Sequence, residues 1–209
     1  MFRAEIRTLF SEAGQAHHLD PAALAAVAQT ESSGIVTTRI NGRDEPLIRF
    51  EGHYFDKRLS PADQAKARAL KLSSPRAGAI PNPADQAARW QMLDKACRIN
   101  RDAAYESTSW GIGQVMGAHW HWLGYVSVAE MVETVRSAVP EQIELMSRFI
   151  VYSNLRDILN KHDWQKFAYS YNGPLYAKNR YDRKLAQNYA LYQPLFPAFI
   201  PPDARLHHS

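Results

Sequence analysis

Glu31 closes a stretch that is otherwise almost wholly apolar. The run Pro-Ala-Ala-Leu-Ala-Ala-Val-Ala-Gln-Thr-Glu from Pro21 to Glu31 reads as a helix that ends at Ser32-Ser33-Gly34, with Gly34 suited to the left-handed position beyond a C-terminus. Helical spacing puts Leu24, Val27 and Ala28 on the face that carries Glu31. A carboxylate there is disfavoured twice, by loss of water and by the negative end of the helix dipole, and both effects raise its pKa. A carboxylic acid that keeps its proton near neutral pH is what glycoside cleavage needs, because the leaving sugar oxygen must be protonated as its bond breaks. The same side chain could instead rotate outward at a frayed helix end or pair with an Arg or Lys, and position alone does not choose between these readings.

Helix signals dominate the rest of the chain. Asp20-Pro21, Ser60-Pro61 and Asn82-Pro83 each join a capping residue to a proline suited to the first helical position, and further helices are expected near Ser127, Pro140 and Asp163. Apolar residues at helical spacing from Ile143 to Leu159 predict one central core helix over Pro140 to Asn160. The clear β signal lies between Val36 and Phe50, where Asn41-Gly42 is the favoured pair for a tight hairpin turn. Leu72 to Pro83 holds three of the 12 prolines and reads as an exposed loop. A mainly α chain with one small β-hairpin, α+β in class, is the expected architecture.

The bulk properties bound the function classes. A chain of 209 residues, 45% of them hydrophobic, can bury one good core and is expected to form one compact domain. The net charge of +4 suits an anionic polymer without choosing among nucleic acid, cell wall and membrane. No basic helix or zinc-finger pattern supports nucleic-acid binding. The first residues carry charge and lead into no long apolar run, so neither a signal peptide nor a spanning helix is expected, and synthesis in the cytoplasm is. Cys97 reads as a small buried thiol rather than a nucleophile. His119-Trp120-His121 points its two imidazoles apart and lacks a nearby carboxylate or Cys, so no metal is expected there, and no cofactor elsewhere. His207 and His208 are set aside as native residues or a tag remnant.

Three motifs then share a pattern. Ala28 to Gly34 (Ala-Gln-Thr-Glu-Ser-Ser-Gly), Ser109 to Met116 (Ser-Trp-Gly-Ile-Gly-Gln-Val-Met) and Ala168 to Gly173 (Ala-Tyr-Ser-Tyr-Asn-Gly) resemble, in order, the spaced signatures of the lysozyme superfamily, above all goose-type lysozymes and lytic transglycosylases. From Asp20 to Tyr192 the chain more closely resembles the N-acetylmuramidase domain of bacteriophage endolysins, through Arg49 to Phe55, Tyr105 to Gly111 and Tyr171 to Pro174. The resemblance implies a lysozyme-like fold and Glu31 as general acid. It implies cleavage of the β-1,4 bond between N-acetylmuramic acid and N-acetylglucosamine, with peptidoglycan glycan strands as partner and lysis of the wall as result. A lytic transglycosylase and an inactive glycan-binding module are the alternatives. Some such endolysins carry a separate wall-binding module; residues 1–209 are expected to be a single catalytic domain, a monomer, that reaches the periplasmic wall through a holin-type pore.

Hydrolysis needs a second group besides the acid. Glu51 leads, since strand alternation sends Ile48 and Phe50 inward and Arg49 and Glu51 the other way, although a plain ion pair with Arg49 or Arg58 is the rival reading. Glu106 and Asp44 are the other contenders. Goose-type enzymes draw their second acid from this β region, and many transglycosylases dispense with it. The two glycines within Ser109 to Met116 let backbone approach a ligand, Gln114 offers a paired donor and acceptor, and Ser109 could also cap a helix. Motif context adds Glu106, Trp110, Tyr171 and Asn172 as substrate contacts, with Asn172 expected on an N-acetyl group.

Overall fold

The computed structural model describes residues 1–200, so His207 and His208 lie outside the described residues. In chain order the elements are α1 (Ala4–His17), α2 (Pro21–Ser32), β1 (Thr38–Ile40), β2 (Arg43–Glu45), β3 (Ile48–Phe50), α3 (Gly52–Arg58), α4 (Pro61–Ala69), α5 (Gln86–Cys97) and α6 (Arg101–Glu106). They continue with β4 (Thr108–Trp110), β5 (Val115–Met116), α7 (Val128–Ser137), α8 (Val139–Tyr152), α9 (Arg156–Asn160), α10 (Trp164–Asn172) and α11 (Tyr181–Tyr192). The chain forms two compact units, one of Met1–Ile35 with the residues from Ile143 onward, the other of Val36–Gln142.

The first unit is helical and is built around α2. Every residue from Ala22 to Ala28 is buried, so α2 is enclosed on all sides rather than along one stripe, and its alanines let α1 and α11 pack closely. Asp20 caps its first turn, accepting from the Ala22 and Ala23 amides at 2.9 and 3.4 Å. The same carboxylate accepts from the Tyr189 hydroxyl at 3.1 Å and meets His162 Nε2 at 2.8 Å. At the other end, Asn188 donates to the Thr30 hydroxyl at 2.9 Å and the Tyr192 hydroxyl donates to Gln29 Oε1 at 2.7 Å. Both ends of α2 are therefore tied to α11.

The second unit holds two small antiparallel sheets among helices α3 to α7. The expected hairpin pairs Thr38 with Glu45 and Ile40 with Arg43, and both turn residues are left-handed, Asn41 at φ 49° and Gly42 at 81°. Strand β3 leaves it for a second sheet, pairing Ile48 with Trp110 and Phe50 with Thr108, while β4 pairs Ser109 with Met116 of β5. Strands of two or three residues are too short for alternation to announce them, and the motif from Ser109 to Met116 lies in a second hairpin, β4–β5.

Four local expectations need correction. Asn82-Pro83 starts no helix; the Asn82 amide is engaged by the Phe50 backbone at 2.6 and 3.0 Å, and α5 begins at Gln86 behind the Asp85 cap. The helix expected over Pro140 to Asn160 breaks between α8 and α9, where Asn154 is left-handed at φ 58°, and Leu155 and Leu159 carry the apolar pattern across the break. Ser109 caps no helix, being in β4. The loop from Leu72 is also not wholly exposed, since Ser73 is buried and donates to Asp56 at 2.8 Å. Cys97 is half-buried, and burial pushes its thiol up to about 12, which leaves it protonated and unreactive.

Candidate active site

The first unit brings Glu31, Tyr171 and Asn172 together. Glu31 lies in the last turn of α2, whose end is set by Ser33 and Gly34, both left-handed at φ 55° and 81°. The left-handed φ favours glycine at Gly34, and a Cβ there would also push on the Gln29 amide 2.9 Å away. Burial raises the Glu31 carboxyl from its usual 4.5 to about 7, against two opposing influences. Asn172, at the end of α10, donates to Glu31 Oε1 at 2.6 Å, and the Lys184 ammonium on α11 also favours the charged form. Asn172 thus contacts the acid itself, a role its sequence reading did not include. Lys184 was missed altogether, because nothing local marks a lysine whose partner lies on a distant helix.

Tyr171 is half-buried, stacked on Phe167 with ring centroids 5.2 Å apart and edge-on to Phe149. Burial and the charge of Glu31 both push its phenol well above the usual value, so it stays neutral.

Glu51, Glu106, Ser109, Trp110 and Gln114 belong to the second unit. The expected alternation holds: Ile48 and Phe50 are fully buried, Arg49 is exposed and Glu51 is half-buried. Glu51 Oε1 accepts from Arg49 Nε at 2.8 Å, and its backbone amide donates to the Ser107 carbonyl at 2.8 Å. Glu106 has both oxygens engaged, by Arg58 at 3.0 Å and the Trp120 indole at 2.9 Å. Asp44 sits on the exposed hairpin, paired with Arg39 at 3.1 Å.

Trp110 is a correction. Its side chain has no exposed surface, meets Trp90 and Tyr105 edge-on, and donates its indole N–H to the Tyr105 carbonyl at 3.1 Å. A ring without an exposed face cannot stack on a sugar. Ser109 is buried as well, with its hydroxyl 3.1 Å from the Met116 sulfur. The Gln114 amide nitrogen is spent on the Gly111 and Leu47 carbonyls at 2.8 and 3.3 Å, so both its N–H groups hold the β4–β5 turn rather than a ligand. Gln114 is left-handed at φ 49°, which makes it part of that turn's geometry.

Among the described residues, no helix is long and apolar enough to cross a membrane. No relative is found among curated proteins. The fold is similar to the crystal structure of a Burkholderia AP3 phage endolysin, with a TM-score of 0.76 and 33% identity over 90% of this chain and 71% of that one. The mostly helical architecture with small antiparallel sheets agrees with that neighbour and is the lysozyme-like α+β fold. A family model described as N-acetylmuramidase matches residues 20–193, and the chain belongs to that family.

Proposed function

We propose that the protein is an endolysin-type peptidoglycan hydrolase that cleaves the β-1,4 bond between N-acetylmuramic acid and N-acetylglucosamine, with Glu31 as general acid. The observation that carries this reading is the Glu31 carboxyl, pushed up to about 7 by burial and held by Asn172 at 2.6 Å. Near neutral pH a large share of such a group is protonated and can still give the proton up, the condition under which a general acid works best. Donation to the glycosidic oxygen lets the sugar C1–O bond break. As Glu31 becomes negative, the Asn172 N–H bond strengthens and stabilises the carboxylate formed.

The positive charge that develops on the sugar needs an anion or an activated water opposite it. Glu51 is proposed for that role over Glu106 and Asp44. Among the described residues its Oε2 accepts no hydrogen bond and lies 3.6 Å from His53 Nδ1, whereas both oxygens of Glu106 are engaged. Asp44 sits on an exposed hairpin, where it is spent on a solvent-exposed ion pair with Arg39 at 3.1 Å. A chain carrying +4 suits a wall polymer that is itself anionic. The glycan strands of the bacterial wall are the proposed partner, reached through a separate pore.

Mass spectrometry of purified peptidoglycan after digestion tests this. The expected products end in reducing N-acetylmuramic acid, and Glu31→Gln yields none. Anhydro ends would assign the transglycosylase reaction instead. Retained wall binding without any cleavage by the unaltered protein would make it a binding module.

A further inference from the structure

His53 stands beside the proposed second acid with its chemistry unused. Its Nδ1 is buried, has no hydrogen-bond partner among the described residues and lies 3.6 Å from Glu51 Oε2, just beyond bonding distance. A buried ring nitrogen left unpaired is costly, and such exceptions in a packed structure ask for a reason. The backbones on either side are fixed. The Glu51 amide is tied to Ser107, and the Glu51 carbonyl accepts from Tyr54 and Phe55 at 3.0 and 3.1 Å as α3 begins. Gly52 between them is closely packed, since a Cβ there would lie 2.8 Å from Ile80 and 2.9 Å from the Leu72 carbonyl. The imidazole is held in turn against the Tyr54 ring, centroids 4.1 Å apart, and that ring carries Lys57 and Arg58 over it, each 5.7 Å from its centroid. What remains free to move is the Glu51 carboxylate, whose other oxygen is held by Arg49, a side chain 56% exposed and readily exchanged for solvent or ligand.

We infer that His53 is a positioning residue for Glu51: a small rotation of the carboxylate closes Nδ1–H onto Oε2 and leaves Oε1 as the oxygen available to a ligand. This rests on the assignment of Glu51 above. The buried imidazole fixes the carboxylate when Arg49 lets go, so that the oxygen left for a ligand is chosen by the fold rather than by a mobile guanidinium.

Two amide substitutions in the full chain separate this from a merely structural role. Asn places its N–H donors near the position of Nδ1, while Gln carries them farther out. On solubilised peptidoglycan, His53→Asn is expected to keep kcat within about threefold of the unaltered protein. His53→Gln is expected to lose about tenfold or more in kcat with KM little changed. Equal kcat values for the two variants would overturn the inference, as would an unaffected His53→Gln. Glu51→Gln measured alongside separates the failures. If it is fully active, the roles of Glu51 and His53 fall together and that of Glu31 stands; if it is slow while His53→Gln is unaffected, only His53 falls.

Discussion

Glu31→Gln is expected to abolish lysis of peptidoglycan, with a rate loss of at least about a hundredfold, while making the protein more stable at alkaline pH. The two effects share one cause. The folded protein keeps the Glu31 proton up to about pH 7, while the unfolded chain releases it near 4.5. A carboxyl with a raised folded-state pKa contributes its full stability below pH 4.5, and that stability is lost as pH rises through 7. Above that point the unaltered protein holds a buried anion, at a penalty of up to about 3 kcal/mol. Glutamine keeps the shape, accepts from Asn172 and carries no charge. Thermal unfolding should therefore show the variant more stable than the unaltered protein at pH 8 and equal to it at pH 4. A variant that is inactive but equally stable at both would mean that Glu31 is not held in a desolvated site.

Trp110→Ala should cost about 3–5 kcal/mol of stability, the range for removing a large buried aromatic side chain. The ring is fully enclosed between Trp90 and Tyr105, and its indole N–H satisfies the Tyr105 carbonyl, so truncation opens a cavity and strips a backbone acceptor at once. Denaturant unfolding measures this. Native-like stability together with weakened binding of glycan fragments would return Trp110 to the surface of the site.

Trp110 also illustrates where the sequence is legible and where it is not. Its motif marked it as important, but its direction depends on a strand partner, Ile48, 62 residues earlier. Residues facing each other across a ladder share a face, and Trp110 lies opposite Ile48, already readable as an inward residue. Once that pairing is known, the burial of Trp110 follows, and so does the placement of Ser109 opposite the exposed Arg49. The apolar setting of Glu31, in contrast, was readable from its own helix, because composition and the 3.6-residue period are local, while its role as acid needed the motif resemblance as well. The Asn41-Gly42 turn was readable for the same reason. The Asn172 contact, 141 residues away in sequence, was not, and neither was the charge of Lys184. The break at Asn154 was hidden because Leu155 and Leu159 continue the apolar rhythm on a new helix.

Acid catalysis by Glu31 requires that it hold a proton near neutral pH. Carbon NMR of the protein labelled at its glutamate carboxyls, titrated from pH 3 to 9 and assigned with Glu31→Gln, measures that directly. The Glu31 resonance is expected to titrate with a midpoint about 7, in step with the alkaline limb of kcat/KM. A midpoint near 4.5, the ordinary value for the group, would contradict it.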